Sequence, residues 1–311
     1  MRLDEIHSSE LTSHCLRQVY HRLNSEVQGV ATTALYRGLV AGRACELLHQ
    51  QGFHSDPSEI VVSAASDVQK TLAEENRMLS EAVENNRLDI LAEVTNIVNL
   101  YVERFGPKFE RCHLIGTEVP ARLSIGEGEV DPQTMYFASH LDLVIRDKEN
   151  VFGYGHDRII VFDWKWREDQ PSHQYLARYM QFALYYLMVK NGSLKCGPEG
   201  FEWISFEEAP VLVWFHLPSL KPYARRTTAF NDAGEEQEFV KGDFRPLRSI
   251  LHRVEYDANQ DIRIIEELRM RATMIENDVF PLNPDPVSCR ICEAEAFCTR
   301  FDTAHLGDST R

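Results

Sequence analysis

Three residues carry the most chemistry in this chain. Asp142 lies in His140-Leu141-Asp142-Leu143-Val144, and Asp163 and Lys165 lie in Val161-Phe162-Asp163-Trp164-Lys165-Trp166. Both runs are apolar and strand-like. Residues two apart on a strand face the same side, so the Asp163 carboxylate and the Lys165 ammonium project together. If Asp142 ends the neighbouring strand, its carboxylate reaches the same point. Two carboxylates suit Mg²⁺ or Mn²⁺, hard ions that prefer oxygen ligands. Such an ion polarises a phosphoryl oxygen and lowers the pKa of an attacking water. A lysine beside it holds the nucleophilic water and offsets charge developing on phosphorus. An aspartate between Val, Phe and Trp is expensive to bury for structure alone. The competing reading is a strand-edge salt bridge of Asp163 with Lys165 or Arg146.

Two further groups stand out. Gln181 and Tyr185 are four apart in an apolar helical run, hence on one face; a core helix explains the apolar residues there but not Gln181. Cys289, Cys292 and Cys298 fall within ten residues, and Cys15 stands alone near the other end. Four thiolates suit Zn²⁺ or an iron–sulfur cluster, and either would clasp the two ends of the chain together. Zinc ribbons usually carry two close pairs, which this spacing lacks. Cys45, Cys112 and Cys196 are isolated and read as small buried residues. An odd count of seven cysteines makes a disulfide framework improbable.

The elements that must position these groups follow from periodicity. Residues 8–25 and 31–51 read as helices. Residues 58–105 hold no Gly or Pro and read as strongly helical until Gly106-Pro107 stops them. Strands are expected from His113, over Tyr136–Arg146 and over Arg158–Trp166, the last apolar enough for a central strand. Ser172–Lys190 reads as one long amphipathic helix and Val211–Leu217 as a strand with which Tyr223–Phe230 pairs. Residues 243–276 read as a helix rich in Arg and Glu. The order is an α/β core with a helical N-terminal lobe.

At 311 residues the chain is large enough for one elaborated domain or two small ones. A composition of 43% hydrophobic and 26% charged residues is that of a globular protein. No apolar stretch is long enough to span a membrane, and the N-terminal residues lack the apolar core of a signal peptide. A cytoplasmic protein is expected. The net charge of −15 argues against a protein that coats DNA non-specifically. It leaves room for an enzyme whose basic residues line one channel.

The ordered set Cys15, Asp142, Asp163-x-Lys165, Gln181-x3-Tyr185 and Cys289-x2-Cys292-x5-Cys298 resembles the iron–sulfur branch of the PD-(D/E)xK nuclease superfamily. That branch includes RecB- and AddB-type nuclease domains and the Cas4 exonucleases of CRISPR adaptation. The resemblance implies a restriction-endonuclease-like mixed sheet flanked by helices. It implies a helical region over 1–106 that contributes Cys15, a nuclease core over 107–242, and a helix and cysteine-cluster segment over 243–311. It assigns Asp142 and Asp163 as metal ligands and Lys165 as the catalytic lysine. Gln181 and Tyr185 match the family's helix beside the active site, and Glu118 is a further acidic contributor. Cys15, Cys289, Cys292 and Cys298 would ligate a structural [4Fe–4S] cluster. Two positions depart from the family pattern. Ser139 stands where a glycine is usual, and no histidine occupies the early metal-ligand position. Glu46 is the expected substitute ligand, with His49 one helical turn on.

The activity implied is Mg²⁺- or Mn²⁺-dependent DNA hydrolysis, as an exonuclease on single strands or ends, in recombination, repair or CRISPR adaptation. The partners implied are DNA and proteins of those processes. Trp164, Trp166, Arg167, Tyr175, Arg178 and Tyr179 are candidates to hold a single strand. The alternative is a DNA-binding scaffold of the same fold that has lost catalysis.

Overall fold

The computed structural model describes residues 5–7, 29–124, 136–177, 179–196, 202–230, 236–277 and 279. The expected helix over 8–25, Cys15, Arg178 and the Cys289–Cys298 cluster lie outside the described residues.

The described residues begin with β1 (Glu5–His7), which joins the main sheet; the N-terminal lobe starts at β2 (Gly29–Ala31) and continues into α1 (Thr33–Gln51) and α2 (Pro57–Glu74). Thr32 caps α1 by accepting from the Leu35 N–H at 3.3 Å. Asp56 caps α2 in the same way through Ser58 at 2.8 Å, with Pro57 in the first turn. The helical character expected for 58–105 is interrupted by β3 (Arg77–Leu79), which pairs with β2. It then resumes in α3 (Glu81–Asn85) and α4 (Arg87–Phe109).

Gly106-Pro107 does not stop α4, contrary to the sequence reading. Pro107 falls in the last turn, where it forfeits one backbone bond. Buried Phe105 and Phe109 keep that turn packed among Phe53, Phe152 and Phe162.

The expected strands are β4 (His113–Ser124), β5 (Tyr136–Asp147) and β6 (Arg158–Lys165), an antiparallel meander. The predicted helix over Ser172–Lys190 is two helices, α5 (His173–Ala177) and α6 (Met180–Asn191), with Tyr179 extended at the junction. Nor is α6 amphipathic: every residue from Phe182 to Val189 is buried. A helix apolar all round belongs inside the protein. The chain then forms β7 (Ser193–Lys195), β8 (Trp203–Ile204) and β9 (Val211–His216). Strand β9 runs parallel to β6, with Asp163 beside Trp214 and Lys165 beside His216.

Two further expectations fail. Tyr223–Phe230 (β10) pairs with Glu236–Asp243 (β11) as a separate hairpin rather than with β9. The edge of β9 is taken instead by β12 (Leu251–Val254), inside the segment expected to be helical. Only α7 (Asp261–Glu276) of that segment forms an α-helix.

The main sheet has the order β12-β9-β6-β5-β4-β7-β8, with β1 added parallel to the start of β5. Helices cover both faces. Leu143, Ile160, Phe162 and Phe215 pack against α1, α2 and α4. Val144, Val161, Leu212 and Trp214 pack against α6 and α7. β6 is therefore buried on both sides, as its continuous apolar run requires. Among the described residues no helix is long and apolar enough to cross a membrane.

Candidate active site

The register of the meander sets three acidic residues in one row. In the β4–β5 ladder Thr117 pairs with Leu143 and Val119 with Leu141, which leaves Glu118 opposite Asp142. The β5–β6 ladder ends at Leu143 and Phe162, which puts Asp142 opposite Asp163 one step on. Like charges directly across a ladder oppose folding. The row also carries backbone strain: Glu118 has φ 46°, in the left-handed region, where a non-glycine residue is uncommon.

Lys165 answers part of that charge. Its Nζ lies 2.9 Å from Asp163 Oδ1 and 2.7 Å from Oδ2. Asp163 is fully buried, while Lys165 keeps partial access to solvent. Asp142 is held by the main-chain N–H of Trp164, which donates to its Oδ2 at 2.8 Å. The alternation expected for Asp163 and Lys165 thus holds, and the amide between them orients the third member. The salt-bridge reading of the Asp163–Lys165 pair is also correct as geometry, but it leaves Asp142 and Glu118 unbalanced.

The electrostatics reflect that imbalance. Burial pushes the Asp142 carboxyl well above the usual carboxylate range, and the Asp163 charge adds to it; Lys165 pulls the other way. Asp163 is likewise raised by burial, against the pull of Lys165. Glu118 is raised to about 7 by withdrawal of its carboxyl from water, then by the charges of Glu46 and Asp163. The Lys165 ammonium is stabilised above its ordinary value because Asp163 and Asp142 outweigh the cost of its burial.

Glu118, Asp142 and Lys165 line a cleft of about 1270 Å³; Asp163 is fully buried and meets the cleft only through its ion pair with Lys165. The opposite wall of the cleft is α1 and α2, with Gly38, Gly42, Arg43 and Lys70 among the lining residues. A Cβ at Gly38 would stand 3.5 Å from that of Trp166, an ordinary contact. At 42 a Cβ would meet only open space.

Glu46 lines the cleft, yet its carboxylate is engaged by Arg43 at 2.6 Å and by Gln50 at 2.9 Å. Among the described residues no group of three or more His, Cys, Asp and Glu side chains is close enough to hold a metal ion. The expected trio of Asp142, Asp163 and Glu46 is therefore not assembled. His49 is not at the site either. It is hydrogen-bonded to the Tyr101 hydroxyl at 2.8 Å and caged by Phe53, Phe109 and Trp164. The remaining pair still fits a hard dication. Asp163 Oδ2 is buried and is met by the Lys165 ammonium at 2.7 Å, with no other hydrogen-bond donor on it among the described residues. Mg²⁺ is commonly held by one or two carboxylates, with water and substrate phosphate completing its shell.

On the far side of the row, Gln181 Nε2 donates to the Tyr185 hydroxyl at 2.5 Å, and Tyr185 is also hydrogen-bonded to Ser139. Burial, then the charges of Asp163 and Asp142, keep the Tyr185 phenol protonated. Gln181 thus has a partner in the layer behind the carboxylates. Among the proposed strand-holding residues, Trp164 is buried against Tyr101 and His49, a core position. Trp166 is half-buried at the cleft, and Arg167 and Tyr175 are exposed together.

Arg43 was not singled out by sequence reasoning. It binds Glu46 and also Asp67 of α2, at 2.7 Å. Its spacing three residues before Glu46 on a helix was the available signal; the Asp67 contact, between two helices, had none.

A mixed sheet that brings two aspartates and a lysine to the edge of an open cleft is the arrangement of a nuclease fold. The family model of the PD-(D/E)XK nuclease superfamily matches residues 12–299. The chain belongs to that superfamily, whose members are generally nucleases and typically use Mg²⁺ or Mn²⁺. A search of curated proteins found no match.

Proposed function

We propose that this protein is a metal-dependent deoxyribonuclease that hydrolyses phosphodiester bonds, acting as an exonuclease on single-stranded DNA or DNA ends. The observation that carries this reading is the convergence of Asp142, Asp163 and Lys165, with Asp142 and Lys165 lining the cleft and Asp163 buried behind Lys165. Asp142 and Asp163 would hold Mg²⁺ or Mn²⁺, with Glu118 as a further acidic contributor. When bound, the ion supplies Lewis-acid polarisation of the phosphate and lowers the pKa of an attacking water. Lys165 holds that water and balances the charge developing on the phosphoryl oxygens. The Trp164 amide keeps Asp142 aimed at the same point. Gln181 and Tyr185 support the row from behind. The role of Glu46 is the positioning of Arg43 in the cleft wall.

Cys15, Cys289, Cys292 and Cys298 are proposed to bind a structural [4Fe–4S] cluster, on the strength of their spacing and the resemblance to the iron–sulfur branch. The region 1–106, the core 107–242 and the segment 243–311 are proposed as the functional divisions. Recombination, repair or CRISPR adaptation is the proposed setting, with proteins of those processes as partners.

Digestion of labelled single-stranded and duplex DNA with Mg²⁺ or Mn²⁺, wild type against Lys165→Ala, tests the enzymatic reading. Anaerobic purification tests the cluster. A brown protein with iron and sulfide supports it; a colourless protein containing zinc rejects it.

A further inference from the structure

The break between α5 and α6 has a product that the nuclease reading does not require. It stacks Tyr175 on Tyr179, with ring centroids 5.4 Å apart and planes 28° from parallel. Both rings meet the edge of buried Trp214, at 5.9 and 5.6 Å. Trp214 in turn lies 6.0 Å from Lys165 Nζ. At the outer end, the Arg167 guanidinium sits 5.1 Å from the Tyr175 ring centroid and donates to its hydroxyl at 2.9 Å. The side chains form a ladder from solvent to Lys165.

Its placement is specific. Trp214 belongs to the core layer on the α6 side of the sheet, whereas the cleft is walled by α1 and α2 on the other side. Lys165 borders both. A strand whose phosphate lies at Lys165 therefore crosses the end of the sheet, with one neighbour in the cleft and the other over Tyr175 and Arg167. Tyr175 is 39% exposed, although burying that ring against the neighbouring core would be favourable. Exposed aromatics joined to arginine are the usual platform for unpaired bases, because every base offers a π-face and the arginine adds cation–π attraction. Paired bases inside a duplex cannot offer that face.

We infer that Tyr175 and Arg167 form a base-stacking subsite beside the reacting phosphate, on the α6 side of the sheet, which selects an unpaired nucleotide. This inference rests on the nuclease reading of Lys165 and names the substrate feature that the site reads. Tyr179 and Trp214 are positioning residues for the platform.

The test separates the two. Fluorescence anisotropy in the Lys165→Ala background measures binding of labelled single-stranded and blunt duplex DNA without cleavage. Adding Tyr175→Ala should weaken single-strand binding about tenfold, leave duplex binding within twofold (roughly the spread expected of an uninvolved side chain), and leave the melting temperature unchanged. Tyr175→Phe should retain binding, because the ring remains. In the otherwise native enzyme, Tyr175→Ala should raise KM for single strands with kcat nearly constant. Equal single-strand affinity with and without Tyr175, or equal losses for single strand and duplex, would overturn the inference while leaving the nuclease assignment standing. A wild-type enzyme that cleaves no polynucleotide sinks the assignment itself, whatever Tyr175 does to binding.

Discussion

The main-chain N–H of Trp164 donates to Asp142 Oδ2 at 2.8 Å, so the backbone between Asp163 and Lys165 orients the carboxylate on the neighbouring strand. The bond holds in place a group whose charge the fold disfavours. Asp142→Asn keeps an oxygen to accept that bond and removes the charge. Because burial raises the folded pKa of Asp142, its favourable contribution is present at pH below the unfolded value and lost as pH rises through the folded one. The Asn variant should therefore melt higher than metal-free wild type at neutral pH, by about 1 kcal/mol, and should cleave about a hundredfold less or worse. Mn²⁺ at a hundredfold over its Kd should stabilise wild type by about 2.7 kcal/mol and the variant hardly at all. Calorimetry with and without Mn²⁺ reads both; equal metal stabilisation would remove Asp142 from the ligand set.

Lys165 and Asp163 should behave as a coupled pair. Lys165→Ala leaves a buried carboxylate facing two other acids, at a cost of about 3 kcal/mol, the low end for a broken pair because Lys165 retains some exposure. Asp163→Asn with Lys165→Met removes both charges and should recover most of that loss. Urea midpoints across the double-mutant cycle measure the coupling. Strict additivity would mean that the ion pair contributes nothing to the fold.

His49 should give the protein an acid sensitivity that is separate from catalysis. Burial lowers its pKa to about 3 from an ordinary 6.5. The unfolded chain therefore takes up the proton first on acidification. The stability that neutral His49 contributes is complete above pH 6.5 and is lost as pH falls toward 3. His49→Gln can keep a hydrogen bond to Tyr101 without titrating. Its melting temperature should fall less steeply than that of wild type across that window. Parallel curves would show that the ring is not held neutral.

The two aspartates and the lysine were legible because strand alternation is rigid: two residues on means the same face. That Glu118 joins their row was not legible in the same way. It depends on a β4–β5 register with a shift between Leu114 and Gly116, and on a left-handed residue at Glu118 itself. The unbroken reading of Ser172–Lys190 failed because the break falls at Tyr179, with no Gly or Pro to mark it. Residues 243–260 have the charge density of a surface helix. Leu251–Val254 is nonetheless a strand, because β9 offers it an open edge, and sheet context overrides local preference. The ion pair of Glu46 with Arg43 joins residues three apart in sequence. What fixes it, Asp67 on the next helix, is a tertiary fact.

The central claim is that Asp142, Asp163 and Lys165 form a working hydrolytic site. The most direct test is the rate of phosphodiester cleavage of end-labelled single-stranded DNA with Mg²⁺ or Mn²⁺. Wild type is compared with Lys165→Ala and Lys165→Arg, each first shown to be folded by its melting curve. The account predicts metal-dependent cleavage by wild type, abolished by EDTA and reduced about a hundredfold or more in Lys165→Ala, with little recovery from arginine, whose planar fork cannot reproduce the ammonium. Cleavage by Lys165→Ala at the wild-type rate, or no cleavage by any form, would contradict it.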